Sequence, residues 1–133
     1  MNDQLEQKLK DEFSPIYNAL HFGFECHDGW YNLLYDLSKA IYSKAQEKGL
    51  HLGYHSSPYN DSSLYFYVQQ VKEKYGTLRF YTSSHFDDIE DLIELAEKQS
   101  EITCEMCGKL GEMNDGPWFS VKCETCRNKT SLP

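Results

Sequence analysis

The stretch that decides the fold is LYFYVQQVKEKYGTLRFYTS, residues 64–83. Tyrosine, phenylalanine and valine dominate its first half, and Leu78 and Phe80 alternate with polar or aromatic residues in its second half. Such residues in such an alternation are typical of β-strands. Tyr75-Gly76 stands between the two halves as a two-residue turn, because glycine tolerates a positive φ. The stretch therefore predicts an antiparallel β-hairpin.

Helices are predicted on both sides of this hairpin, from apolar residues that recur every three or four positions. The pattern predicts them over 3–13, 29–48 and 87–98. A short additional helix is predicted over 15–21, because Ser14-Pro15 suits a cap followed by a first turn. We therefore expect an α+β fold class, with helices packed on a small antiparallel sheet, in a domain that covers residues 1–100.

Polar residues and glycine predict where these helices begin and end. Asp28 is positioned to cap the helix over 29–48, and Gly49 to terminate it. Ser84 and Asp87 match a capping box for the helix that follows the hairpin. The segment 51–63, which is rich in glycine, proline, serine, asparagine and aspartate, is predicted to be a loop.

Two CxxC pairs near the end of the chain hold four of its five cysteines. Two residues between thiolates let a tight turn present both sulfurs to one ion, and two such turns complete a tetrahedron. Gly108 supports the first turn, and Asn114-Asp115-Gly116-Pro117 with the strand-like WFSVK, residues 118–122, predicts a hairpin between the pairs. We therefore predict a zinc-ribbon-like module over 101–133, with Zn²⁺ held by Cys104, Cys107, Cys123 and Cys126.

The predicted zinc is structural, because four cysteines fill its coordination shell and leave no position for water. Iron in a rubredoxin-like site uses similar turns, but the second pair, CETCR, lacks the glycine that follows the first pair. Disulfides instead of metal would need an oxidising compartment. The N-terminal MNDQLEQKLKDEF lacks an apolar core, and no run approaches the roughly 20 apolar residues that span a membrane. We expect a cytoplasmic protein without a membrane partner.

The formal net charge of −8 disfavours general binding to nucleic acid. The predicted hairpin nevertheless places Lys74 opposite Thr77 and Lys72 opposite Arg79, on the same face as Gln70 and Tyr81. We call Lys72, Lys74 and Arg79, with Gln70 and Tyr81, the basic strip. It has two interpretations: a solvated face neutralised by the acidic helix over 87–97, or a surface that binds an anion or a partner.

The sequence contains no recognisable catalytic constellation. Cys26-His27 places a thiol beside an imidazole, but adjacent residues point in different directions, so Cys26 is expected to be a buried core residue. GxGxxG, Walker A, HExxH and GxSxG motifs are absent from the sequence. We therefore expect a non-enzymatic protein-interaction module with a structural zinc. The alternatives are a nucleic-acid-associated zinc-ribbon regulator that uses Lys72, Lys74 and Arg79 and, third, an enzyme acting on a phosphorylated or nucleotide ligand at the hairpin face.

A specific pattern is formed by CHDGWYNLLYDL, then QQVKEKYGTLRFY, and then an acidic helix that runs into CEMCG. The pattern, over residues 22–126, resembles a family of small proteins from bacteria, prophages and phages that share CxDGW and QVKEK[FY]GxLRFY motifs. The resemblance implies that the motif positions are Asp28, Gly29, Trp30, Lys72, Lys74, Gly76, Leu78, Arg79 and Phe80. His27 stands where a small residue is expected, which weakens a catalytic role. A phage source would imply a modulator or inhibitor of a host protein.

Overall fold

The computed structural model describes residues 1–55, 65–114 and 116–130. Its helices in these ranges are α1 (Asp3–Glu12), α2 (Tyr31–Glu47), α3 (Asp87–Ser100) and α4 (Glu124–Thr130), and a 3-10 turn covers Asp28–Trp30. The strands are β1 (Phe24–Glu25), β2 (His51–Leu52), β3 (Tyr65–Phe66), β4 (Val68–Lys74), β5 (Thr77–Thr82), β6 (Glu112–Met113) and β7 (Val121–Lys122). These elements confirm the α+β class.

The predicted hairpin forms with the predicted register. β4 and β5 pair antiparallel, with Lys72 opposite Arg79 and Lys74 opposite Thr77. Tyr75 at φ 54° and Gly76 at φ 85° form the turn, and two positive φ angles are the signature of the tight turn that matches strand twist. β1 then adds to β4 in parallel, so the sheet has the order β1-β4-β5.

The core lies between the inner face of this sheet and helices α2 and α3. Val71 and Leu78 from the sheet and Leu34 and Ile41 from α2 are fully buried. Trp30, just before α2, is buried as well. Burying a side chain of the valine, leucine or isoleucine kind contributes about 1.5–3 kcal/mol, so these positions supply much of the stability of the fold.

Both outer edges of the sheet are occupied by side chains from helices. The Leu78 amide of β5 donates to Ser100 Oγ at 3.0 Å, and the Phe24 amide of β1 donates to Glu6 Oε1 at 2.9 Å. The Phe80 backbone donates to Glu97, a bond that lowers the pKa of this carboxyl, whereas burial, the larger cause, raises it. At these positions the edges do not present unpaired backbone groups to another chain.

The predicted helix over 15–21 is wrong. The residues form successive single turns, in which the Ile16 amide donates to Phe13 O and the Asn18 amide donates to Pro15 O. The Ile16 carbonyl instead accepts from the Val68 amide at 2.8 Å. This carbonyl therefore bonds to the first residue of β4 instead of to an amide of its own helix. Local propensity does not reveal such a long-range contact.

Two predicted helix caps are also wrong. The Asp28 carboxylate accepts from the backbone and the side chain of Asn2, and a 3-10 turn precedes α2. Helix α3 begins at Asp87 after Phe86 without a side-chain cap, and Ser84 Oγ donates to Tyr65 O at 3.4 Å. Gly49 follows the end of α2 at φ 72°, as predicted for a stop.

The remaining predicted segments divide between described and undescribed residues. Within the loop predicted over 51–63, His51–Leu52 forms β2, which pairs with β3, and residues 56–63 lie outside the described residues. Of the turn predicted over 114–117, Asp115 also lies outside them. No helix in the described ranges is long and apolar enough to cross a membrane.

Candidate metal centre

Four cysteine sulfurs converge near the end of the chain. The Sγ atoms of Cys104, Cys107, Cys123 and Cys126 all lie within 4.8 Å of one another. Cys107 Sγ and Cys123 Sγ, from different pairs, are 3.5 Å apart. This spacing suits four ligands around one tetrahedral ion with metal–sulfur bonds of about 2.3 Å. The four residues could therefore hold a single metal ion.

The first CxxC pair lies on a tight turn. The Gly108 amide donates to Cys104 O at 2.8 Å, and the Cys104 amide donates to Lys109 O at 2.7 Å. Gly108 adopts φ 85°, a conformation that favours glycine, as the sequence predicts. These bonds fold the backbone so that Cys104 and Cys107 face the same point.

The second CxxC pair lies at the start of α4, a helix that the sequence did not reveal. Cys123 precedes this helix and Cys126 lies in its first turn, where the Cys126 amide donates to Cys123 Sγ at 3.4 Å. Between the pairs, β6 and β7 form the predicted hairpin, with Met113 opposite Val121. The strand is shorter than predicted, because 118–120 are not part of it.

Backbone donors favour ionisation of two of the four thiols, Cys104 and Cys123. Burial raises the pKa of Cys104, but backbone donors from Cys123, Cys107 and Met106 outweigh it and lower the pKa to about 6. The Cys126 amide likewise lowers the pKa of Cys123. The side-chain hydrogen bond with Cys123 raises the pKa of Cys126 to about 12. Thiolates bind metal, so a divalent cation replaces the shared protons of such a cluster.

The segment His27–Trp30 packs directly against the turn that carries the first CxxC pair, Cys104 and Cys107. The Gly29 amide donates to Glu105 O at 2.7 Å, and Trp30 Nε1 donates to Thr103 O at 3.0 Å. A Cβ atom added at Gly29 would lie 2.3 Å from Cys104 O, closer than any side chain can approach a backbone. Position 29 therefore requires glycine because the metal turn occupies the space of a side chain.

Glu105 strengthens this contact from the other side. Glu105 is buried, and its Oε2 accepts a hydrogen bond from the His27 amide at 3.0 Å. Burial, the larger cause, raises the pKa of this carboxyl, and the bond from His27 lowers it. A buried carboxylate with a backbone partner links residues that stand far apart in the sequence.

The tip of the β4–β5 hairpin makes a second contact with the cysteine-rich module that begins at residue 101, which we call the metal module. A Cβ atom added at Gly76 would lie 2.7 Å from Met113 Sδ and 3.1 Å from the Ser120 amide. The rings of Tyr75 and Phe119 meet edge to face, with centroids 6.5 Å apart. The stretches CHDGWYNLLYDL and QQVKEKYGTLRFY therefore both contact the metal module.

The basic strip forms one face of the sheet, opposite the core. Lys74 and Tyr81 are exposed, and Gln70, Lys72 and Arg79 are half-buried. Among the described residues, no carboxylate forms a salt bridge with the three cations. The strip and the four cysteines are separate surfaces, and nothing in their geometry makes them one site.

The sequence did not single out several residues that the structure places at these surfaces. Glu105, which docks the metal module, has no signal in the sequence, whereas its partner Gly29 is a motif position in DGW. Phe22 and Gln69 border a depression beside the basic strip. For Gln69 the only signal was the doubled glutamine within a strand, which interrupts the alternation of inward and outward residues.

Fold and site together define a small α+β protein with a cluster of four cysteines, towards the end of the chain, that could hold a metal ion. No family model matches the chain, and neither a curated protein nor a solved structure matches it. Function is therefore inferred from the geometry of this chain.

Proposed function

We propose that the protein is a non-enzymatic protein-interaction module whose four-cysteine cluster holds a structural Zn²⁺. Four thiolates in a tetrahedral arrangement suit zinc, and they leave no open position for a reacting water. The absence of a glycine after Cys126 supports zinc over a rubredoxin-like iron site. Zinc binding in such small modules supplies the folding free energy that their few apolar residues do not.

The observation that carries the interaction proposal is a group of exposed aromatic side chains where the hairpin tip meets the metal module. We call Tyr75, Trp118 and Phe119 the junction cluster. Their exposed fractions are 67%, 83% and 53%. The Tyr75 and Phe119 rings are in contact, and Trp118 adjoins Phe119 in the sequence. Large exposed aromatic side chains are typical of binding surfaces, and tyrosine and tryptophan are enriched among the residues that dominate binding energy.

Charge indicates the kind of partner that this surface fits. The chain carries a net −8, and the outward face of α3 adds exposed Asp87, Asp91 and Glu94. Long-range attraction therefore favours a protein with a basic surface, and the aromatic rings would enter an apolar pocket in that surface. The resemblance to bacterial and phage proteins supports the narrower proposal that the partner is a host protein whose activity is modulated.

The experiment that tests this proposal places a photo-crosslinking amino acid at position 118 and captures partners from nuclease-treated host lysate. We expect a discrete protein adduct at position 118. The matched control is the same amino acid at position 95, because Leu95 is also exposed, by 66%, but lies on α3. Replacing the cluster in Trp118→Ala/Phe119→Ala should abolish co-purification of the same protein, without lowering zinc content.

Three results would contradict the proposal. An equal yield of adducts at positions 95 and 118 would show non-specific capture. An adduct that disappears with nuclease would show that nucleic acid carries the association. A co-purifying partner that the Trp118→Ala/Phe119→Ala variant retains in full would place the interface elsewhere.

A further inference from the structure

We propose that the open face of the β1-β4-β5 sheet is a second binding site, for a short single strand of nucleic acid. The site combines the basic strip with an adjoining aromatic depression. It does not use the metal, and it contacts the junction cluster at Lys74, whose Nζ lies 5.6 Å from the centroid of the Tyr75 ring. The variants that test the site below leave both of these residues intact.

The cations of the basic strip are arranged in line with the strands. The cross-strand pairs Gln70–Tyr81, Lys72–Arg79 and Lys74–Thr77 follow one another on the same face. Alternate residues of a strand are about 6.6 Å apart, so the cations form a regular track along the sheet. Arg79 Nη1 donates to Thr77 Oγ1 at 2.8 Å, which holds the guanidinium along this face. A track of cations suits the phosphates of an extended strand.

A depression of about 370 Å³ lies at one end of this track. Its lining includes Phe22, Gln69, Gln70 and Tyr81. Phe22 is 79% exposed and Tyr81 is 43% exposed, so two aromatic rings are available to a ligand. Aromatic rings on an exposed sheet face are the means by which several nucleic-acid-binding folds stack unpaired bases.

An irregularity in β4 places two amide side chains in the same depression. The register shifts between Val68 and Gln70, so Gln69 is an extra residue in the strand. In a regular strand, neighbouring side chains point to opposite faces, but both Gln69 and Gln70 line the depression. Bulges often redirect a side chain towards a binding site. Glutamine amides donate and accept hydrogen bonds, as the edges of bases require.

Partly occupied sheet edges favour this ligand over a peptide. Peptides commonly bind a sheet by adding a strand at a free edge. Here Ser100 receives the Leu78 amide on one edge and Glu6 receives the Phe24 amide on the other. These bonds hinder the addition of a strand at those positions and favour a ligand that contacts the face, as planar bases do through stacking.

Carboxylates near the strip limit its affinity, since Glu97 interacts electrostatically with Arg79 and Glu25 lies on the sheet itself. Glu25 of β1 is the register partner of Lys72, and its Oε1 accepts from Gln70 Nε2 at 3.0 Å. Its negative charge opposes a phosphate on the same face. The Glu25→Gln variant should therefore bind an oligonucleotide more tightly than the wild type.

The experiment titrates the full-length protein into fluorescently labelled single strands of about eight nucleotides, one DNA and one RNA, over a series of salt concentrations. We expect saturable binding at low salt. Replacing Lys72 and Arg79 by alanine should reduce affinity at least about tenfold and make the salt dependence shallower by about 1.4 in log–log slope, since each phosphate contact on a single strand contributes about 0.7. Tyr81→Ala should reduce affinity about tenfold with an unchanged slope, because stacking does not release counterions.

The matched control removes two cations from α2, in Lys39→Ala/Lys44→Ala. This change equals the Lys72→Ala/Arg79→Ala variant in net charge but leaves the sheet face intact. Affinity and slope should remain within about twofold of the wild type. Melting temperatures of all variants should match that of the wild type, because the replaced side chains are at least partly exposed.

Three results of this titration would overturn the proposal. Absence of binding at low salt would exclude the site. An equal loss of binding in the α2 control would show that only net charge matters. Displacement of the strand by a polyglutamate peptide at equal concentration would show a general anion surface, without selection for bases.

Discussion

The α+β domain and the metal module are stabilised in different ways. The domain contains a continuous core of twenty buried residues among those described, from Leu9 to Ala96. The corresponding cluster in the module comprises Cys104, Cys123 and Cys126 alone. Removal of apolar surface from water stabilises the first region, whereas the second has little apolar surface to bury.

This difference shows what the two docking contacts accomplish. The module meets the domain through Gly29 and through Gly76, both at positions where a side chain would collide with the module. The metal module, which has no apolar core of its own, is held in place partly by contact with the backbone of the α+β domain. The proposed metal ligation and the docking contacts should therefore act together, and each should be sensitive to loss of the other.

The largest expected effect follows from removal of one metal ligand. Cys104→Ser should lose bound zinc and unfold residues 101–130, because apparent binding free energies of structural zinc reach about 10–16 kcal/mol. Helices α1 to α3 should keep most of their structure, since their core lies elsewhere. Metal analysis and hydrogen exchange resolved by residue would measure both results.

Cys26→Ser is the control for this change, since it also removes one thiol but from the core. It should retain a full equivalent of zinc. Equal zinc content in the Cys104→Ser variant and the wild type would disprove the role of the cluster. Simultaneous loss of protection in α2 would show that the two regions unfold as one.

A smaller but still large effect is expected from Gly29→Ala. The added methyl group would lie 2.3 Å from Cys104 O and 2.4 Å from Glu105 O, both backbone atoms that cannot move alone. We expect a loss on the order of 3 kcal/mol in unfolding free energy and weaker zinc retention. Denaturant unfolding and competition with a zinc chelator would measure the two quantities.

Gly49→Ala provides the comparison. Gly49 has a positive φ of 72°, but nothing lies within 4 Å of an added Cβ. The cost should therefore be about 1 kcal/mol, from backbone strain alone, with zinc retention unchanged. If both variants lose the same stability, the contact between Gly29 and the metal turn is not what requires glycine.

The smallest effect concerns the reactivity of cysteines in the two regions. Burial, the main cause, raises the pKa of Cys26 from 9.0 to about 12. At pH 8 this lowers the thiolate fraction about a thousandfold, and only the thiolate reacts with alkylating reagents. After zinc removal we expect rapid labelling of exposed Cys107 and slow labelling of Cys26, as mass spectrometry of timed samples would show.

The sequence predicted the elements whose signals are local. The hairpin register followed from alternation and from Tyr75-Gly76, because a two-residue turn leaves few pairings open. The four cysteines could be grouped because CxxC spacing contains most of the geometry of a metal turn. For the same reason the apolar residues that recur every three or four positions predicted the helix α2, in which Leu34 and Ile41 are buried.

The failures share a physical cause, which is competition from distant groups. Ile16 could not continue a helix because Val68 takes its carbonyl, and Asp28 could not cap one because Asn2 takes its carboxylate. The need for glycine at position 29 arises from residues 104 and 105, far along the chain. The extra residue at Gln69 likewise depends on pairing with β5. Such partners are visible only in three dimensions.

The hydrogen bond from Trp30 Nε1 to Thr103 O makes one indole an internal optical reporter. This ring is fully buried, whereas the other tryptophan, Trp118, is 83% exposed. Replacing Trp118 by phenylalanine leaves a single emitter whose spectrum depends on whether the chain just before Cys104 stays in place. Loading and release of the ion can then be followed as a wavelength shift, without a dye or a label.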